Sequence, residues 1–258
     1  FSVFLQIITD SKKMSVFQLI KTQIDKKSKM FALLIDPDQQ TESQLKEIIS
    51  IAEESKVDLI FVGGSLLKTD SLDLCIKTIK NQSRIPIVLF PGNTMQINNQ
   101  ADAILFLSLI SGRNAEMLIG KQVVTAPILK KTALEIISTG YMLIESGQQT
   151  TASYMSNTTP IPHTKNDIAT ATAMAGEMLG LKLIFMDGGS GAINCISEEM
   201  ITSVKRSVKI PLIVGGGISS AKQAVKSCNA GADIIVVGNA IEKDSSLINK
   251  ISTAVHDI

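Results

Sequence analysis

A single α/β domain closing as a (β/α)8 TIM barrel is the fold class the 258-residue sequence predicts, on three observations. Eight short apolar runs recur at 30–36, 57–62, 86–90, 103–107, 140–145, 182–187, 210–214 and 233–237, with helical segments between most of them. Several runs are apolar nearly throughout, as strands buried on both faces must be, and strand–helix alternation of this kind implies a parallel sheet. The last two runs each end in glycine, at Gly215-Gly216-Gly217 and at Gly238-Asn239, where a (β/α)8 barrel carries its phosphate site.

In chain order, a helix at 15–26 precedes the first strand and is placed to plug or brace the barrel. Apolar spacing of 3.6 residues predicts helices at 42–55, 72–81, 168–179, 198–207, 221–228 and 245–255. Two stretches depart from the alternation. Residues 94–100, after the third strand, are polar and too short for a crossover helix, so the barrel is expected to be modified around its third helix. Residues 146–164 contain no Asp, Glu, Lys or Arg and two prolines. They follow the fifth strand and read equally as a lid over the catalytic face or as a surface loop.

Composition narrows the function. A formal net charge of +1 with no basic stripe argues against nucleic-acid binding. Cys75, Cys195 and Cys228 are odd in number and widely spaced, which excludes a disulfide framework and a cysteine metal site and suggests a reducing compartment. No apolar run reaches the roughly 18 residues of a membrane span, and no signal-peptide pattern opens the chain. A soluble cytoplasmic protein is expected, with peripheral membrane contact left open.

The chemistry-bearing residues gather at strand ends. Glycine there lets backbone approach a ligand, and the N–H groups of the following helix start face it, so the paired glycine turns predict a phosphorylated ligand. Neither turn is G-x-G-x-x-G, which argues against a dinucleotide. Asp36 ends the first strand and could bind Mg2+ or cap the next helix; Asp38 suits the loop or cap role. Ser65, in Gly63-Gly64-Ser65, is a second metal or diphosphate contact beside it. Asp187 ends the sixth strand as a base or hydroxyl anchor, followed by donors in Gly188-Gly189-Ser190-Gly191. His163 reads as catalytic or as a solvated loop residue, and His256 as surface.

Taken in order, Ile35-Asp36-Pro37-Asp38, Phe61-Val62-Gly63-Gly64-Ser65, Asp187-Gly188-Gly189-Ser190-Gly191, Val214-Gly215-Gly216-Gly217-Ile218 and Gly238-Asn239 resemble the geranylgeranylglyceryl phosphate synthase family over nearly the whole chain. Ser153-Tyr154-Met155-Ser156-Asn157 and Pro160-Ile161-Pro162 resemble its branch with bacterial members, and in this family a strand-like stretch replaces the third barrel helix. The resemblance implies transfer of a polyprenyl group, geranylgeranyl by expectation, from its diphosphate to the 3-hydroxyl of sn-glycerol 1-phosphate. It implies Mg2+ on Asp36 and Ser65. It implies a glycerol-phosphate site on Phe185, Met186, Asp187, Gly188, Gly189, Ser190, Gly191, Gly215, Gly216, Gly217, Gly238 and Asn239, with Asp187 catalytic. A homo-oligomer is expected. Many members have Tyr-Leu-Glu where this chain has Phe185-Met186-Asp187, so acceptor positioning should differ here.

Two other readings keep the barrel. One gives it isomerase or aldolase chemistry, against which no strand carries a Lys near its C-terminal end. The other is a phosphate-sensing barrel without catalysis, against which stand Asp36 and the missing basic patch.

Overall fold

A computed structural model describes residues 14–64 and 71–258. Eight parallel strands, β1 (Met30–Ile35), β2 (Leu59–Val62), β3 (Ile87–Leu89), β4 (Ala103–Leu109), β5 (Glu135–Leu143), β6 (Leu183–Asp187), β7 (Leu212–Gly215) and β8 (Ile234–Val237), pair in sequence order. β1 bonds to both β2 and β8, so the sheet closes into the predicted barrel. The helices are α1 (Val16–Asp25), α2 (Glu42–Glu54), α3 (Leu72–Gln82), α4 (Lys121–Leu129), α5 (Thr151–Ser156), α6 (Asn166–Met178), α7 (Glu198–Ser207), α8 (Ala221–Ala230), α9 (Asn239–Lys243) and α10 (Leu247–His256). None is long and apolar enough to cross a membrane.

Strand side chains alternate between two cores. Met30, Ala32, Leu59, Phe61, Leu183 and Phe185 fill the barrel interior, while Phe31, Leu33, Ile60, Ile184 and Met186 pack outward among the helices. Burying one such Leu, Ile or Phe side chain contributes about 1.5–3 kcal/mol, so register is strongly fixed on both faces. Helix α1 plugs the N-terminal mouth. Ser15 caps it through Gln18 N–H, Val16 and Ile20 join the interior core, and Lys182 Nζ sits 5.4 Å from the centroid of the Phe17 ring.

Four segments differ from the sequence expectation. Residues 90–102 form neither a helix nor the strand-like replacement implied by resemblance; the stretch is irregular, held by local bonds such as Gly92 N–H to Gln96 Oε1 at 3.0 Å. β5 begins at Glu135, five residues before its expected start at Gly140, because the β4 ladder extends from Ala103–Glu135 to Leu109–Tyr141. α4, preceded by a π-turn at Glu116–Gly120, fills the gap between β4 and β5 despite Pro127 within it. The stretch 146–164, which reads as a lid or a surface loop, contains a short helix, and Thr151, Ala152, Met155 and Ser156 line a cavity at the barrel rim. Thr150 and Ser153 form a capping box for α5, Asn157 ends that helix in the left-handed conformation (φ 49°), and Ile161 pairs with Ile144. His256 is exposed, as expected, and its Nε2 lies 2.8 Å from Asp58 Oδ2.

Candidate active site

The interior parity of the strands delivers the functional side chains. On β1 the inward positions are Met30, Ala32 and Leu34; one step further, Asp36 enters a cavity of about 780 Å3 at the C-terminal rim. Its Oδ1 accepts from Asp38 N–H at 3.0 Å. Gly64 presses so close that a Cβ there would lie 3.0 Å from Asp36 Oδ2, which explains why that strand end carries glycine. Ser65 lies outside the described residues. Asp38 does not cap α2, where Thr41 and Gln44 form the capping box; it accepts instead from Ser71 Oγ at 2.6 Å.

On β6 the inward positions are Leu183, Phe185 and Asp187. Met186 has the opposite parity and packs among the helices, away from the cavity. Asp187 is buried. Its Oδ2 accepts from the Tyr141 hydroxyl at 2.6 Å and its Oδ1 from Gly189 N–H at 2.7 Å. Burial pushes the carboxyl above the usual carboxylate range, and the two hydrogen bonds pull it part of the way back. Burial, and then the neighbouring Asp187, hold the Tyr141 phenol well above its ordinary value, so it stays a donor. Phe185 packs with Phe61, Phe90 and Tyr141 at centroid distances of 5.1–6.5 Å across the group.

Three glycine segments meet above this pair. Gly216 has φ 82°, and a Cβ on it would fall 2.5 Å from Gly188 N, so the β6 and β7 loops touch backbone to backbone. Gly188 N–H donates to Gly215 O at 3.0 Å, Cys195 Sγ–H to Gly217 O at 3.2 Å, and Ser190 Oγ–H to Asn239 Oδ1 at 3.2 Å. Gly189, Ser190 and Gly191 line the cavity, as do Gly215 to Gly217, Gly238 and Asn239. Asn239 opens α9, where Ile241 and Glu242 N–H donate to Gly238 O and Asn239 and Ala240 line the cavity. The result is a concave, donor-rich cradle suited to an oxyanion.

The cavity continues along an apolar arm. Ile104 and Phe106 have outward parity on β4, where the barrel wall would ordinarily be covered by a third-position crossover helix. Because 90–102 is irregular, the arm stays open between Ile97, Met117 and Leu129. Lys121, Glu242 and Lys243 also line the cavity, and sequence reasoning passed over all three. Their signal is positional: Glu242 and Lys243 directly follow Gly238-Asn239. Burial first and Asp36 second push the Glu242 carboxyl up. Tyr141 was overlooked as well, its signal being a hydroxyl at inward parity beside Phe185. His163 does not line the cavity; it pairs with Glu145 at 3.0 Å on the exposed lid.

Comparison with known proteins places this architecture. A geranylgeranylglyceryl phosphate synthase of Chitinophaga pinensis is 56% identical over 236 residues, covering 90% of this chain and 94% of that protein. The Spirosoma linguale protein of the same name is 49% identical over 229 residues, covering 89% and 92%. The crystal structure of (S)-3-O-geranylgeranylglyceryl phosphate synthase from Thermoplasma acidophilum, in complex with substrate sn-glycerol-1-phosphate, superposes with a TM-score of 0.89 at 29% identity, covering 95% of this chain and all of that one. The sequence pattern of the PcrB family matches residues 22–256, and the chain belongs to that family.

Proposed function

We propose that this chain is a prenyltransferase that moves a polyprenyl group, geranylgeranyl, from its diphosphate to the 3-hydroxyl of sn-glycerol 1-phosphate. The observation that carries the reading is one cavity joining three parts: an oxyanion cradle at Gly216 and Asn239, a buried carboxylate at Asp187, and an apolar arm past Phe106 and Leu129. A phosphorylated acceptor and a donor with a long hydrocarbon tail need those parts, adjoining in that way. The names of the C. pinensis and S. linguale relatives, and the glycerol phosphate bound by the T. acidophilum enzyme, support the same reaction.

The acceptor phosphate would rest on the glycine cradle, presenting its 3-hydroxyl towards Asp187. As the acceptor oxygen bonds to C1 of the prenyl chain, the bond from C1 to the diphosphate oxygen breaks. The hydroxyl proton passes to Asp187, and diphosphate leaves. An allylic C1 tolerates positive character, so the residues mainly orient the two reactants.

Asp36, cradled by Gly64 at a spacing a Cβ would fill, offers the hard oxygen donor that Mg2+ prefers. Mg2+ is commonly held by one or two carboxylates together with substrate phosphates and water. Asp36 and Ser65 would hold it; once bound, it would neutralise charge developing on the departing diphosphate. Val123, Val124 and Ile128 turn outward from α4, which supports self-association. We place the enzyme in the cytoplasm, meeting the membrane peripherally where its lipid product departs.

Purified protein incubated with sn-glycerol 1-phosphate, Mg2+ and labelled geranylgeranyl diphosphate tests the reading. Label should appear in an ether-linked glycerol phosphate with stoichiometric diphosphate. Hydrolysis of the donor alone, or no reaction with an intact fold, would refute it.

A further inference from the structure

We infer that Tyr141 is the positioning residue of the base: its hydroxyl clamps Oδ2 of Asp187 from inside the barrel and aims the carboxylate at the acceptor hydroxyl. The inference rests on Asp187 taking the acceptor's proton, as proposed above. It is carried by geometry. In the β5–β6 ladder, Leu143 lies opposite Asp187 and Tyr141 opposite Phe185, so Tyr141 sits two residues deeper on the adjacent strand at the same inward parity. Its ring is held edge-on between Phe90 (5.7 Å, 72°) and Phe185 (5.6 Å, 78°). A ring wedged on both sides has little rotameric freedom, and its O–H reaches Asp187 Oδ2 at 2.6 Å. Gly189 N–H holds the other oxygen at 2.7 Å. Two donors, one on each oxygen, fix the carboxylate's rotation and leave its remaining lone pairs for a ligand in the cavity.

The clamp has a chemical purpose as well as a geometric one. Burial favours the neutral carboxyl, which cannot accept a proton, and a short O–H···O⁻ bond favours the ionised form. Tyr141 keeps its own proton, because burial and the adjacent carboxylate both oppose its loss. No charged side chain intervenes: the ladder partners of Asp187, Leu143 on β5 and Gly215 on β7, do not titrate. Above it, Ser146 donates to Gly188 O, and Thr150 lies against Gly189. The other ionisable groups lining the cavity are Asp36, Lys121, Glu242 and Lys243.

Tyr141→Phe preserves the ring and deletes the donor. The acid limb of its kcat–pH profile should move to higher pH by about one to two units, the size expected when a carboxylate loses a hydrogen bond. At neutral pH kcat should fall roughly ten- to a hundredfold, with calorimetric Kd values for both substrates changed less than about twofold. Placed in an Asp187→Asn background, Tyr141→Phe should cost nothing further, because residues acting through one another are not additive. A profile superimposable on the parent's, or a full second loss in the double variant, would overturn the inference. Full activity of Asp187→Asn alone would instead overturn the base assignment. Should Tyr141→Phe fold poorly, 3-fluorotyrosine incorporated into a Tyr154→Phe chain strengthens the donor without changing shape, leaving Tyr141 as its sole site. The acid limb should then move to lower pH, and an unmoved limb refutes the clamp.

Discussion

Asp187→Asn separates chemistry from structure at one atom. Two donors converge on the carboxylate, Gly189 N–H on Oδ1 at 2.7 Å and Tyr141 O–H on Oδ2 at 2.6 Å. The amide can turn its oxygen to Gly189 and its NH2 to Tyr141, whose hydroxyl rotates to accept. The exchange replaces a charge-assisted bond with a neutral one and keeps both side-chain atoms of the amide partnered, so the stability change should stay within about 1–3 kcal/mol. Burial already disfavours the charge being deleted, which keeps that figure small. Catalysis responds differently. General-base assistance contributes roughly a hundred- to ten-thousandfold, or about 3–5 kcal/mol of barrier. Single-turnover rapid quench with labelled geranylgeranyl diphosphate and saturating acceptor should show that loss in the transfer step. Donor binding, followed by equilibrium dialysis, should be unchanged. Loss of donor binding would mean that Asp187 serves the diphosphate. Full activity would mean that orientation and leaving-group stabilisation suffice without a base.

Three further perturbations probe other parts. Gly216→Ala forces a side chain into a left-handed conformation at about 1–2 kcal/mol and onto the Gly188 backbone, 2.5 Å away. Calorimetry should show acceptor affinity falling more than about tenfold with a lowered Tm, and unchanged affinity would exclude the cradle as the phosphate site. Asp36→Asn keeps the shape but removes the charge; Mg2+ and prenyl-diphosphate affinity should drop while acceptor affinity persists, and equal loss of both ligands would contradict a separate metal position. His256 carries a pKa raised above its ordinary value by its hydrogen bond to Asp58. A raised folded-state value stabilises fully below the unfolded pKa and is lost as pH rises through the folded one. Tm should therefore decline upward from about pH 6.5 by a component that vanishes in His256→Gln, and a parallel profile in that variant would refute the link.

What the sequence disclosed follows from which signals survive on the page of residues. The strands were legible because both faces are buried, which leaves unbroken apolar runs such as Leu183 to Met186. α4 was not, because its two faces are both apolar: Leu129 faces the core, and Val123, Val124 and Ile128 face outward. With Pro127 inside, no amphipathic period remains to find. The start of β5 was hidden by Glu135, Ser138 and Thr139, and only pairing with β4 reveals them as strand. The lid helix α5 is six residues long, shorter than any periodicity can register. Asp36, Asp187 and the glycine turns were legible because carboxylates and glycines at strand ends are conspicuous. Tyr141 was silent because a tyrosine within a strand is what β-propensity alone provides.

The parity that sets Tyr141 beside Phe185 also explains why the site is assembled where it is. Each strand reads in–out with a period of two, and most of the inward positions are apolar. The next inward position on β1 is Asp36 and the last on β6 is Asp187, so the barrel's own alternation carries two carboxylates from core packing into the rim cavity. Each is then held by one loop N–H, Asp38 N–H on Asp36 Oδ1 and Gly189 N–H on Asp187 Oδ1. Loops supply what strands cannot, namely close backbone donors, and Gly216 against Gly188 shows how tightly two of them must approach to do so. The division has an energetic logic. Charge is fixed on the most rigid part of the molecule, where its misplacement would cost most in catalysis. The backbone donors proposed for the phosphate lie on glycine turns beyond it. Outward parity completes the arrangement: buried Ile104 and half-buried Phe106 point away from the barrel interior and, with Ile97, line the apolar arm beside the irregular segment 90–102. One cavity thus carries carboxylates and glycine turns at the barrel rim and an apolar arm along β4.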